Sequence, residues 1–184
     1  MKIKLATKEL QKDSIVDGEG IRAVIWTQGC RHHCPGCHNP TTHDFNKGYE
    51  LDLEEVEKQI KELDGQDGIT FSGGDPMEQA SACAKLAEFA KKEKLNIWCY
   101  TGYTYEELIE KSKTEPEILN FLKYIDILVD GKFVLSQKSY DVPFRGSKNQ
   151  RIIDVQKSLA KKETIQVSKY IEEKNTKKKP LLYV

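Results

Sequence analysis

Cys30, Cys34 and Cys37 sit in one loop, "GCRHHCPGCHNP", at the spacing Cys-x3-Cys-x2-Cys. Thiolates gathered this closely hold metal, and sulfur-built centres ordinarily take four protein ligands. Two chemistries answer to three. A zinc site would complete its tetrahedron with a histidine, and His32, His33, His38 and His43 all stand nearby. A [4Fe–4S] cluster held at three corners would leave one iron without a protein ligand, and an open coordination position is where substrate binds. The spacing favours iron–sulfur over zinc or bare thiols. Each histidine, taken singly, reads as a polar loop residue.

The other candidates fall in short motifs farther along. "SGGDP" supplies Gly73, Gly74 and Asp75. Glycines let a backbone approach a ligand closely, and a carboxylate can hold an ammonium group. The same residues would also turn a strand and start a helix, with Asp75 as cap and Pro76 at the first position. "YTGY" offers Thr101 and Gly102, suited to a ligand contact or to an ordinary strand-end turn. "DGKF" pairs Asp130 with Lys132, an acceptor and a cation that fit either a ligand or a structural ion pair. "RGSKNQR" carries Arg145, Lys148, Asn149 and Arg151 on a loop that would line the mouth of a site. Cys83, in an alanine-rich helical stretch, and Cys99, inside a strand-like run, read as small buried hydrophobes.

Strand-like and helix-like segments alternate so as to place these motifs. "IRAVIWTQ" (21–28) is β-branched and aromatic and leads straight into the cysteines, and "GITFSGG" (68–74) stops at two glycines. "LNIWCYTGY" (95–103), "YIDILVDGKF" (124–133) and "RIIDV" (151–155) complete the expected strands. Between them, Leu53, Val56, Ile60 and Leu63 keep helical spacing, with Asp52 and Glu55 set like a capping box. Met77, Ala80, Ala84, Ala87 and Ala90 share one helical face, and "TYEELIEKSK" is a further helix. Strands separated by helices imply βαβ units and a parallel sheet. A closed eight-fold barrel needs about 250 residues, so a chain of 184 residues builds only part of one. The expected architecture is α/β: an open, curved, mostly parallel sheet forming a partial (βα) barrel. Working residues in such sheets sit at the C-terminal strand ends. The cysteine loop, "SGGDP", "YTGY" and "DGKF" all fall at that edge.

Lys plus Arg number 29 and Asp plus Glu 29, so no net field draws in a polyanion, which argues against nucleic acid as a partner. No apolar run approaches the roughly 20 residues of a membrane span, and "MKIKLATKEL" lacks a signal-type stretch. The expectation is a cytoplasmic protein with reduced cysteines and no membrane partner. One domain over 1–155 is followed by a Lys-rich, solvated, mobile tail over 156–184.

"DGEGIR", "CPGCHNP", "SGGDP", "YTGY", "DGKF" and "RGSKNQRIID" together with the cysteine triplet resemble the radical S-adenosylmethionine enzymes. Within them, the chain is similar to the glycyl-radical-activating enzymes that serve the anaerobic ribonucleoside-triphosphate reductase, across residues 13–155. The resemblance implies a [4Fe–4S] cluster on Cys30, Cys34 and Cys37, with S-adenosylmethionine chelating the fourth iron through its amino and carboxylate groups. It implies reductive cleavage to methionine and a 5′-deoxyadenosyl radical, which takes hydrogen from a glycine of the partner, with no side-chain acid or base. Gly36, Cys37 and His38 would surround the adenine. Gly73, Gly74 and Asp75 would hold the methionine moiety, and Thr101, Asp130 and Lys132 would lie beside the cofactor. Arg145, Asn149 and Arg151 would meet the glycine-bearing loop of the reductase, and a low-potential donor such as flavodoxin would supply the electron. Two positions depart from the wider pattern. Gly36 stands where the superfamily often has an aromatic residue, and Asp75 where many relatives carry Glu. The competing readings are an activase of another glycyl-radical enzyme, such as pyruvate formate-lyase, and a non-catalytic zinc-binding interaction module.

Overall fold

The computed structural model of the chain describes residues 1–171. Its first half runs β1 (Lys2–Leu5), β2 (Gln11–Ser14), β3 (Arg22–Thr27), β4 (Tyr49–Asp52), α1 (Leu53–Lys61) and β5 (Gly68–Gly73). A short 3-10 turn, Pro76–Gln79, then leads into α2 (Ala80–Lys92). The second half runs β6 (Asn96–Tyr100), α3 (Tyr105–Lys111), α4 (Pro116–Leu122), β7 (Ile127–Asp130), β8 (Arg151–Asp154) and α5 (Val155–Lys161).

The described strands make one sheet in the order β4-β1-β3-β5-β6-β7-β8, with β2 also paired to β3. β3, β5, β6 and β7 are mutually parallel, as the alternation of strands and helices requires. The edges depart from that rhythm. β1, β2 and β4 add on antiparallel at one side, and β8 pairs antiparallel with β7 at the other. The sheet therefore ends in two different edge strands and does not close. The expected open α/β sheet with a parallel centre is present, and its antiparallel borders are the expected last strand β8 on one side and the short β1, β2 and β4, outside the expected strands, on the other.

Period-two alternation gives the parallel strands two unlike faces. Ile25, Ile69, Phe71, Ile97, Cys99 and Leu128 point to the helical side and form one buried core with residues of α1, α2 and α4. The alanine face of α2 is buried there, and its small side chains let the helix lie close to its neighbours. The opposite face carries Arg22, Thr70, Ser72, Trp98 and Tyr100, a polar and aromatic surface. Arg22 is 1% exposed and donates to Thr70 Oγ1 and to the carbonyls of Glu19, Ile69 and Asn96. Burial pulls its guanidinium down to about 10.

Two expectations are corrected here. Asp52 does take the N-cap position of α1, but its side chain makes no capping bond. The first helical N–H, that of Leu53, is met instead by the Met1 carbonyl at 2.9 Å. The reciprocal capping box occurs two helices later, where Thr104 and Glu107 start α3. The expected tail over 156–184 also begins as structure. α5 continues from β8, Val167 donates to the Ile152 carbonyl, and Tyr170 packs edge-on against Trp98 and Phe144. From residue 172 onward the tail lies outside the described residues. No described helix is long and apolar enough to cross a membrane.

Candidate functional site

β3 ends at Thr27, and the chain turns at Gly29, whose φ of 101° belongs to the left-handed region. The cysteine loop begins there and is fastened from both sides. Gly29 N–H and Cys30 N–H donate to the carbonyls of Thr42 and His43 at 2.8 and 3.1 Å. The buried Gln28 side chain donates to the carbonyls of Thr41 and Asp44. The segment after the cysteines is thus stapled to the strand before them.

Two residues between Cys30 and Cys34 tie the loop to the exit of β5. Arg31 forks onto Glu78, with Nε 2.7 Å from Oε1. His32 Nε2 lies 2.8 Å from Asp75 Oδ2, and its side chain is 6% exposed. Asp75 is 1% exposed and is the hub of the site. Its carboxyl group also accepts from Met77 N–H at 3.0 Å, from Thr101 Oγ1 at 3.0 Å and from Gly102 N–H at 2.9 Å. One side chain so joins the cysteine loop, the start of the turn into α2 and the end of β6. The approach is close throughout. A Cβ on Gly102 would fall 2.4 Å from the His32 ring, and one on Gly74 would fall 2.3 Å from the Gly29 carbonyl oxygen.

These strand ends enclose a cavity of about 410 Å³. Cys30, Cys34, Cys37 and His38 line it, as do Gly73, Gly74, Asp75 and Thr101. All five cysteines are free thiols. Burial pushes the Cys30 thiol up to about 11 and also raises Cys34, the latter opposed by the Phe133 N–H and the Lys132 charge. Left uncoordinated, Cys30 and Cys34 are thereby held in the thiol form, whereas a metal would hold its sulfur ligands as thiolates. Three soft donors along one wall suit an iron–sulfur cluster. Among the described residues, no three His, Cys, Asp or Glu side chains gather round a single ion. The histidines are otherwise engaged: His32 with Asp75, His33 with His43 at a ring separation of 5.1 Å, and His38 with Phe133. Cys83 and Cys99 are each 0% exposed, and burial drives both thiols up.

The remaining candidates lie outside the cavity wall. Gly36 is exposed with a φ of 75°, and a Cβ there would meet Leu135. Asp130 is fully buried, accepts from the Tyr105 N–H at the start of α3, and pairs with Arg151. Arg151 also forks onto Glu106. Lys132 and Asn149 are exposed, and Asn149 Nδ2 donates to the Lys132 carbonyl at 2.8 Å. Arg145 Nη1 reaches the Gln150 carbonyl within its own loop at 3.4 Å. In place of Asp130 and Lys132, their neighbours Gly131 and Phe133 line the cavity, together with Gln150. Sequence reasoning passed over His32 as an anchor and Phe133 as a wall. "DGKF" did mark the segment, but its charges drew attention from its ring.

Residues 16–153 match the family model described as a 4Fe-4S single cluster domain. A relative in Vibrio cholerae serotype O1, called an anaerobic ribonucleoside-triphosphate reductase-activating protein, is 38% identical over 146 residues, spanning 75% of this chain and 90% of the relative. The like-named proteins of Escherichia coli K12 and Enterobacteria phage T4 are 34% and 31% identical, spanning 90% and 86% of their own lengths and 74% of this chain in each case. By the extent of these matches the chain belongs to the family of anaerobic ribonucleoside-triphosphate reductase-activating proteins, and it carries a 4Fe-4S cluster domain.

Proposed function

We propose that the chain activates an anaerobic ribonucleoside-triphosphate reductase by reductive cleavage of S-adenosylmethionine at a [4Fe–4S] cluster held by Cys30, Cys34 and Cys37. The product is a glycyl radical on the reductase. The observation that carries this reading is the convergence of three thiols with Gly73, Gly74 and Thr101 on one cavity at the C-terminal ends of the parallel strands.

A [4Fe–4S] cluster held by Cys30, Cys34 and Cys37 would supply the single electron that reduces the sulfonium of a bound S-adenosylmethionine, and the cofactor would supply the radical chemistry directed at the glycine Cα–H. The chain's own residues bind, orient and shield. Asp75 and Thr101 already satisfy each other and the surrounding N–H groups. The methionine end of the cofactor is therefore left to the backbone of Ser72, Gly73 and Gly74, which borders the cavity. Because a hydrogen atom moves rather than a proton, no side chain needs to act as acid or base. An external low-potential donor supplies the electron, and the names of the relatives favour the reductase over other glycyl-radical enzymes.

The test combines the anaerobically iron-loaded protein, S-adenosylmethionine, a reductant and the purified reductase. Spin resonance should show a glycyl radical that disappears when S-adenosylmethionine is omitted. Iron-loaded protein that yields no such radical, or yields it only on a different glycyl-radical enzyme, overturns the proposal.

A further inference from the structure

The family model ends at residue 153, and the chain folds on past it. After α5 it turns back along β8: Gln166 bridges Ile153, and Val167 N–H donates to the Ile152 carbonyl at 2.9 Å. Two residues beyond, Lys169 pairs with Glu19, 150 residues away in the loop between β2 and β3. One short segment thus reaches from the last strand of the open sheet to the loop that precedes β3. Trp98 is where the parts meet. It stands on the sheet face away from the helices and is 2% exposed. A Cβ on Gly18, whose φ is 133°, would fall 2.8 Å from its ring. Phe144 meets the same ring at a centroid distance of 5.3 Å and Tyr170 at 6.5 Å, and those two rings lie 5.8 Å apart, all edge to face. Phe144 holds this place at a φ of 55°, in the left-handed region where a bulky side chain is strained. Gly18 belongs to the loop over 15–21 and Phe144 to the loop over 131–150. Those two loops give Val16, Asp17, Gly146 and Gln150 to the cavity wall.

We infer that residues 166–171 are a clasp: they hold the two rim loops against Trp98 and so fix the gap through which the partner's segment enters the cavity. The inference rests on the proposed function for what passes through that gap. An open sheet has no neighbouring strand to keep the loops at its two sides together, and a surface loop held by few buried contacts opens at little cost. The Lys169–Glu19 pair is half exposed on both sides and contributes little by itself. The aromatic cluster therefore supplies the hold, and Tyr170 is its positioning residue.

Hydrogen exchange, read by mass spectrometry on the anaerobically iron-loaded full chain, tests the hold. Tyr170→Ala should speed amide exchange in residues 15–21 and around Phe144 about tenfold, the scale of one or two lost aromatic pairs, and leave β5 and β6 unchanged. Tyr170→Phe, which keeps the ring, should match wild type. Faster exchange confined to residues 162–171 overturns the clasp. If Tyr170→Ala does not fold, Lys169→Glu, which sets a like charge against Glu19, takes its place, and unchanged exchange over 15–21 then overturns the clasp. A second measurement adds S-adenosylmethionine, reductant and the reductase. A loosened rim admits water and misplaces the glycine, so Tyr170→Ala should raise the 5′-deoxyadenosine released per glycyl radical formed. Loss of folded protein alone lowers both products together, and an unchanged ratio overturns the part given to the clasp in guiding the partner. Wild-type protein that forms no glycyl radical overturns the proposed function, while the exchange measurement still decides the clasp.

Discussion

Asp75 is a carboxyl group at a strand end whose oxygens are already committed within the protein. Each of its oxygens already faces donors from His32, Met77, Thr101 or Gly102, so an incoming ammonium group would have to displace one of them. Asp75→Ala would leave buried donors unmet at a cost of about 1–3 kcal/mol for each. Breaking an exposed ion pair such as Lys2–Glu50 changes little. Asp75→Ala is therefore expected to lower the unfolding midpoint clearly and to release the cysteine loop, so that iron content falls too, whereas Lys2→Ala does neither; thermal unfolding and iron assay report both. The cysteines divide as sharply. Iron should collapse in Cys30→Ala, Cys34→Ala and Cys37→Ala and persist in Cys83→Ala and Cys99→Ala, whose thiols are sealed in the core; a cluster that survives Cys34→Ala counts against the ligand set. The three cysteines could be placed together from the sequence because their spacing is local, and the structure sets all three on one cavity. The hub was not, because His32 and Asp75 lie 43 residues apart and only the fold brings them together.

Among the elements, legibility followed burial. β3, β5, β6 and β7 are buried on two faces and read as continuous apolar runs. β2 and β4 ("QKDS", "YELD") are short and charged, and pairing rather than pattern makes them strands, while β1 ("KIKL") alternates with period two and buries Ile3 and Leu5 but is too short to stand out. α4 was passed over in the sequence, although Pro116 stands at its first turn and Ile118, Phe121 and Leu122 keep helical spacing. The Asp130–Lys132 segment was read for its charges, yet Asp130 joins β7 to α3 and, through Arg151, to β8. Arg151 continues to Glu106, and it holds that carboxyl down at about 2, below its ordinary 4.5. A group depressed in this way stabilises the fold above its unfolded value and loses that contribution as pH falls from 4.5 to 2. Wild type should thus exceed Glu106→Gln in unfolding midpoint at neutral pH, and the gap should narrow across that acid range. A gap that stays constant there would mean the bridge does not set the titration.

At the scale of the whole molecule, the question is how a second protein reaches the cavity. The loops that follow β3, β5, β6 and β7 border the cavity along one edge of an open sheet, so under the proposed function the partner would meet that edge. The loop after β7 stands there, fastened by Gln150, which donates to the Gly131 carbonyl and accepts from the N–H groups of Gly146 and Ser147. Its cations differ in what they are already doing. Arg151 is spent on Asp130 and Glu106, and Arg145 turns toward the Gln150 carbonyl, while Lys148 is exposed. A rim cation of this kind alters encounter with a charged partner more than it alters the chemistry behind it. Lys148→Glu is accordingly expected to slow glycyl-radical formation on the reductase, most at low salt, and to leave slow cleavage of S-adenosylmethionine without the partner at the wild-type rate. Spin resonance follows the first and 5′-deoxyadenosine release the second. A parallel fall in both would place Lys148 in the cofactor site, and no fall in either would move the docking surface away from this loop.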